Sequence, residues 1–157
     1  MSVESVRRFL KDRNCDIPIM ELPDSTATVA EAAATLGVEP GRIAKTLSCR
    51  LSDGRVIILL MRGDARLDNQ KYKSFFGCKA RMLGAEEVES VTGHPVGGVC
   101  PFGLKEPFPV YLDSALKDFD TVYPAAGDRH AAVCLPPDRL QDVVSGTWVD
   151  IAQDRIH

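Results

Sequence analysis

The stretch IAKTLSCRLSDGRVIILLM, residues 43–61, decides the fold. Within it KTLSCRL reads as a strand, Asp53-Gly54 as a hairpin turn, and RVIILLM as a second strand. The second strand is apolar at nearly every position, so both of its faces are covered and it lies at the centre of a sheet. Pro40 opens a short helical turn that leads through Ile43 and Ala44 into the first strand. Lys45 therefore stands at the start of a core strand, beside the small residues Ala44 and Thr46. Two roles fit it, a side chain snorkelling from a strand end or a fixed positive charge at the mouth of a pocket, and position alone favours snorkelling.

Working outward, residues 2–13 place Val3, Val6, Phe9 and Leu10 at helical spacing. Ile17–Leu22 is extended, with Pro18 and Pro23 keeping it at an edge or in irregular structure, and Thr28 with Glu31 has the spacing of a capping box for a helix closed by Gly37. On the other side, 67–76 predicts a helix, 78–83 a short strand and 85–91 a helix. PFPVYLD predicts a strand ending in Asp113; DTVYPAAG and AAVCLP predict two more, joined through residues 127–130. Pro136-Pro137-Asp138 starts a helix closed by Gly146, ahead of a last short strand around Trp148. The pattern predicts one mixed α/β domain over residues 1–157, with about six or seven strands and surrounding helices.

Residues 92–104, TGHPVGGVCPFGL, hold four glycines and two prolines in thirteen positions, which excludes a regular helix or central strand. Gly97 and Gly98 let the backbone approach another molecule, and exposed N–H groups there suit a phosphate or the oxyanion of an acyl-transfer intermediate. A tight structural turn is the alternative reading of the same residues.

Composition narrows the function. With 45% apolar and 26% charged residues the chain is an ordinary globular protein, and no apolar run approaches the roughly 20 residues of a membrane span. The N-terminus lacks the apolar core of a secretory signal, so a cytoplasmic location is expected. The five cysteines are far apart with no C-x-x-C pair, and the three histidines are equally poor metal ligands, so no metal is expected. Cys100 has no supporting His or Asp pattern that would make it a nucleophile. A net charge of −3 argues against bulk electrostatic coating of nucleic acid. Yet residues 62–81 carry six basic residues, Arg62, Arg66, Lys71, Lys73, Lys79 and Arg81, against Asp64 and Asp68. Such a segment suits a few phosphates or a solvated helix face.

IAKTL at 43–47, RGDARLDNQK at 62–71, MLGAEEVESVTGHPVGGVCPFGL at 82–104, VYLD at 110–113 and AAGDRH at 125–130 together resemble the YbaK/prolyl-tRNA synthetase-associated domain family, in its order and over nearly the whole chain. The resemblance implies a mixed α/β fold with a strongly curved, barrel-like sheet and a pocket for the aminoacylated 3′ end of tRNA. It implies hydrolysis of the ester between a wrong amino acid and tRNA(Pro), with no cofactor, metal or covalent nucleophile and with water activated partly by the substrate. By motif, the family's lysine falls on Lys45, its glycine loop on Gly97-Gly98, its strand-end aspartate on Asp113, and the histidine of some members on His130.

Chemistry then suggests roles. The N–H groups of Gly97, Gly98 and Val99 are expected to hold the tetrahedral oxyanion, Lys45 the terminal phosphate or ribose, and His130 the substrate amine or carbonyl. Met20, Thr46, Leu47, Pro101, Phe102, Asp113, Ala126 and Gly127 are candidates for substrate binding in the pocket, most of them also plausible as plain core; Arg62, Arg66, Lys71 and Arg81 are candidates for tRNA contact. The expected activity is deacylation of alanyl-tRNA(Pro), favoured by His130, with cysteinyl-tRNA(Pro) as the alternative and prolyl-tRNA synthetase as a candidate partner. A binding module without catalysis is the reading from a different class; retention of Lys45 and the glycine loop speaks against it.

Overall fold

The structure, a computed structural model, describes residues 2–154. His157 lies outside them. Its centre is β3 (Val56–Arg62), buried at every position. β3 pairs antiparallel with β2 (Ile43–Arg50), from Ala44↔Arg62 to Arg50↔Val56, and parallel with β4 (Val110–Asp113). β4 pairs parallel with β7 (Thr147–Val149), and the start of β2 pairs parallel with β5 (Tyr123–Pro124), giving the order β5-β2-β3-β4-β7.

The period-2 alternation of β3 divides the core. Ile58 and Leu60 face a cluster with Leu112, Phe102 and the α1 (Ser2–Asp12) residues Val6 and Leu10. Ile57, Leu59 and Met61 face a second, with Ile151 and with Tyr72 of α3 (Asn69–Phe76). Burial of each such side chain is worth about 1.5–3 kcal/mol, which is why a strand apolar on both faces takes the central place.

The expected mixed α/β architecture is present, and among the described residues seven strands divide five and two. β1 (Met20–Glu21) and β6 (Ala131–Ala132) form a separate antiparallel ribbon, linked to the region of β5 by bridges at Ala125↔Ala132 and Val122↔Leu135. The expected strands in 120–127 and 131–136 are thus much shorter, and Pro124 has no N–H to extend the first. Residues 78–83 are not a strand: only the bridge Cys49↔Met82 forms, flanked by the bonds Arg50 N–H to Arg81 O and Leu83 N–H to Ser48 O.

The helix ends follow local rules with two exceptions. Thr28 caps α2 (Val29–Leu36) by accepting the Glu31 N–H, and Gly37 closes it at φ +71°. The Glu31 carboxylate, however, accepts from the Ser25 hydroxyl at 3.0 Å and so ties the preceding loop to the helix. α4 (Ala85–Thr92) ends at Gly93 and delivers the chain to the glycine-rich loop. α5 (Pro137–Val144) ends at Ser145 at φ +51° instead of at Gly146. Gly146 is required by packing, since a Cβ there would lie 2.3 Å from Leu112 Cδ1. Among the described residues no helix is long and apolar enough to cross a membrane.

Candidate active site

Lys45 is held from two sides. Its place on β2 is set by the pairing with Met61, and its ammonium donates to the Ala65 carbonyl at 2.5 Å and the Gly63 carbonyl at 3.4 Å. Those carbonyls belong to a turn organised by Arg62, whose guanidinium grips Asp64 with two bonds of 2.8 and 2.9 Å, reaches Asp118 at 2.7 Å and lies over the Phe119 ring. Gly63 is needed because a Cβ would stand 2.3 Å from the Pro40 carbonyl. Burial lowers the Lys45 pKa below the ordinary lysine value; Asp64 opposes the shift and Arg66 adds to it. Lys45 is thus a placed charge, not a snorkelling one. An ammonium has three N–H donors, and two are committed to these carbonyls.

Lys45, Thr46 and Leu47 line a cavity of about 350 Å³ together with Ala32, Leu36, Met82, Val88, Gly97 and Val99. Its walls are mostly apolar, as small-molecule sites are. Thr46 Oγ1 is shielded from solvent and has no hydrogen-bond partner among the described residues. A buried hydroxyl in that state costs about 1–3 kcal/mol, a deficit that a bound polar group would remove.

The glycine loop reaches the cavity through a tight turn in which the Gly98 N–H donates to the Pro95 carbonyl at 2.9 Å. Gly97 has φ +90°, the left-handed backbone that a type II turn requires at its third position. The two glycines therefore differ in role. The Gly98 N–H is spent on the turn and cannot serve as an oxyanion donor, a correction to the expected trio. Gly98 is small for another reason, since a Cβ would lie 2.6 Å from the Asp128 nitrogen. The N–H groups of Gly97 and Val99 have no backbone acceptor among the described residues.

Several expected pocket residues lie elsewhere. Phe102 and Ala126 are fully buried in the core against α1, and buried Pro101 lines a different depression beside Phe9 and Val110. Gly127 packs on the backbone of Ser2. Met20 pairs with Ala132 and does not line the cavity, although Ala132 does. Asp113 is buried because its carboxylate accepts the N–H groups of Ala115, Ile151 and Ala152, which joins β4 to the chain after β7; its role here is structural. His130 is exposed and outside the lining, its backbone N–H bonded to the Asp128 carboxylate.

The basic segment is also divided. Arg62 is 3% exposed and consumed by Asp64 and Asp118. Lys71 is drawn to Asp154 and Asp150, which raise its pKa, and to the Ala152 carbonyl. Neither has a charge to spare for phosphate, whereas Arg66 and Arg81 are exposed.

The structure does bring a histidine to Cys100. His94 Nε2 donates to the Phe102 carbonyl at 2.6 Å and lies 3.5 Å from Cys100 Sγ, while Nδ1 meets the Ser2 hydroxyl. Burial pushes the Cys100 thiol up to about 12 and the imidazole down, so the pair stays neutral and the thiol is no nucleophile. Among the described residues no group of three or more His, Cys, Asp or Glu is arranged to hold a metal ion.

The residues missed in sequence include Thr26, Ala27, Met82, Val96 and Arg129. The first four line the cavity, and Arg129 bonds the Val96 carbonyl. Met82, Val96 and Arg129 fall within the motif stretches 82–104 and 125–130, but nothing local gives them a role and no pattern marks Thr26 or Ala27, because these residues meet only through tertiary packing.

Residues 23–143 match the family described as the aminoacyl-tRNA editing domain. The uncharacterized protein YwhH of Bacillus subtilis is 46% identical over 98% of this chain and 99% of its own. A candidate Cys-tRNA(Pro)/Cys-tRNA(Cys) deacylase, EbsC of Enterococcus faecalis, is 31% identical over 81% of this chain and 76% of its own. A crystal structure described as a candidate trans-editing enzyme for prolyl-tRNA synthetase superposes with a TM-score of 0.89 at 33% identity, over 98% of both chains.

Proposed function

The chain belongs to the aminoacyl-tRNA editing domain family, and on that premise we propose that it hydrolyses the ester of a small amino acid wrongly attached to tRNA(Pro), alanine first. It is an aminoacyl-tRNA deacylase, and the reading takes residues 1–157 as one editing domain. The observation that supports the chemistry is a single cavity combining an anchored ammonium (Lys45), an unsatisfied hydroxyl (Thr46) and two unpartnered N–H groups (Gly97 and Val99) in apolar walls.

In this mechanism water adds to the ester carbonyl, and the developing oxyanion takes the N–H groups of Gly97 and Val99. The carbon–oxygen bond to the ribose then breaks, the free amino acid leaves as its acid, and the ribose hydroxyl regains a proton. Lys45, held by two carbonyls, turns its remaining donor to the terminal phosphate or ribose and orients the ester without attacking it. Thr46 Oγ1 accepts from the substrate amine or donates to its carbonyl.

With His130 outside the lining, the preference for alanine rests on the walls. Ala27, Ala32, Ala44, Ala125 and Ala132 all contribute there, which favours a small side chain. Cysteine is the competing substrate, supported by the name of the Enterococcus relative. A synthetase pocket cannot strongly reject such residues, because a missing methylene is worth only about 1–3 kcal/mol, and a second sieve supplies the rest. Aminoacyl-tRNA(Pro) is the partner, and prolyl-tRNA synthetase the enzyme whose errors are corrected.

Single-turnover deacylation of alanyl-, cysteinyl- and prolyl-tRNA(Pro), with wild type, Lys45→Ala and Thr46→Val, tests the reading. The expected result is fastest loss of the alanyl ester, a sparing of the prolyl ester, and a fall in rate for both variants. Preference for the cysteinyl ester would keep the deacylase and reverse the substrate order. Tight tRNA binding with no hydrolysis of any ester would turn the reading to a binding module.

A further inference from the structure

The glycine turn is held by a residue outside it. Arg129 is exposed, yet its Nε donates to the Val96 carbonyl at 3.0 Å. That carbonyl shares a peptide unit with the Gly97 N–H, and in a trans peptide the two point in opposite directions. Whatever fixes the Val96 oxygen therefore fixes the Gly97 N–H. This peptide is also the central one of the Pro95–Gly98 turn, the unit that reverses when a type II turn converts to type I. The bond from Gly98 N–H to Pro95 O is compatible with both forms and does not choose between them. The Arg129 bond does choose, because a reversed peptide would carry the Val96 oxygen away from the guanidinium.

Two neighbouring contacts fit the same role. The Arg129 side chain packs over Gly97, its Cγ lying 3.1 Å from where a Cβ would stand, and Ala27 closes the other side at 2.9 Å. The Arg129 carbonyl is in turn held by the backbone N–H and hydroxyl of Thr26, at 2.6 and 2.9 Å. The arm that carries the guanidinium is thus tied down at its base.

We infer that Arg129 is a positioning residue for deacylation: its bond to the Val96 carbonyl locks the Pro95–Gly98 turn in the form that presents the Gly97 N–H to the cavity. The inference rests on the proposed reaction for its kinetic consequence and on geometry alone for the lock.

The test is a series, Arg129→Met, Arg129→Gln and Arg129→Lys, read in two ways. Single-turnover kinetics on alanyl-tRNA(Pro) should show the saturating rate of Arg129→Met falling about 10²-fold, the effect of misplacing one oxyanion donor, with the half-saturating tRNA concentration little changed. Arg129→Gln, which keeps an N–H donor without charge, and Arg129→Lys should recover part of that rate. In the tRNA-free protein, the Val96 carbonyl-carbon and Gly97 amide resonances should move in Arg129→Met and return toward wild type in the two donor variants. Weaker tRNA binding at an unchanged saturating rate would overturn the inference and make Arg129 a phosphate contact. Unmoved Val96 and Gly97 resonances would also overturn it. If the wild type hydrolysed none of the three esters, the functional reading alone would fall and the resonances would still decide the lock.

Discussion

Replacing Gly97 with alanine perturbs the turn in two separable ways. The backbone at φ +90° costs an L-residue about 1–2 kcal/mol. The new methyl would also stand 2.9 Å from Ala27 Cβ and 3.1 Å from Arg129 Cγ. The arginine can swing aside, but Ala27 cannot yield easily, because its N–H is bonded to the Ser25 hydroxyl just before the α2 cap. Overlap of this kind adds roughly 1 kcal/mol or more, for a total of about 2–3 kcal/mol. With a urea m-value of about 1–3 kcal/mol/M, the unfolding midpoint should fall by roughly 1 M. The strain is relieved if the 96–97 peptide reverses, and that reversal removes the Gly97 donor, so the deacylation rate should fall about 10²-fold as well. Gly93→Ala is the control. Its φ is +85°, but its nearest neighbour would be Lys105 Cβ at an ordinary 3.5 Å. It should lose about 1–2 kcal/mol of stability and no activity. A Gly97→Ala protein as active as wild type would refute the oxyanion role, and equal losses of stability for the two variants would refute the packing argument.

Lys45→Met removes a charge that folding partly desolvates. Because the folded-state pKa is lowered, the unfolded chain binds this proton more tightly, so the cost of the charge is full at neutral pH and disappears as the pH rises through the ordinary value of 10.5. The stability difference between Lys45→Met and wild type should therefore shift in favour of wild type as the pH rises from neutral through 10.5, measured by urea unfolding. Cys100→Ala should leave single-turnover rates unchanged and cost about 1 kcal/mol of unfolding free energy through the lost buried sulfur. Arg62→Met should lower stability by about 1.5–3 kcal/mol, because the charge-assisted bonds of the buried guanidinium to Asp64 and Asp118 are lost, without altering the salt dependence of tRNA binding. Reversing Arg66 and Arg81 together should flatten that salt dependence by about one to two units of slope; an unchanged slope in a filter-binding titration would remove both from the tRNA surface.

Residues near one another in the chain announced much of this protein. The apolar run of β3 declared a central strand, since only a strand covered on both faces can spend every position on burial. Thr28 and Gly37 bounded α2, and the crowded glycines and prolines of 92–104 declared a shaped loop, because caps and turns are satisfied within a few residues. Lys45 and Gly97 were legible as candidate site residues through the family's motifs, and the fold brings both to one cavity, with spacing leaving the role of each open.

Tertiary structure decided what distant partners do to these residues. Arg62 looked like a phosphate ligand until Asp118, 56 residues on, took its guanidinium, and Lys71 until Asp154, 83 residues on, took its ammonium. Asp113 became structural by capping backbone from beyond β7, and His94 came to Cys100 only inside a core that keeps both neutral. The adjacent Gly97 and Gly98 parted in role because one N–H closes a turn and the other does not. A sequence records which charges and donors a chain carries. Whether each is spent internally or left for a substrate depends on which distant groups packing brings within hydrogen-bond reach.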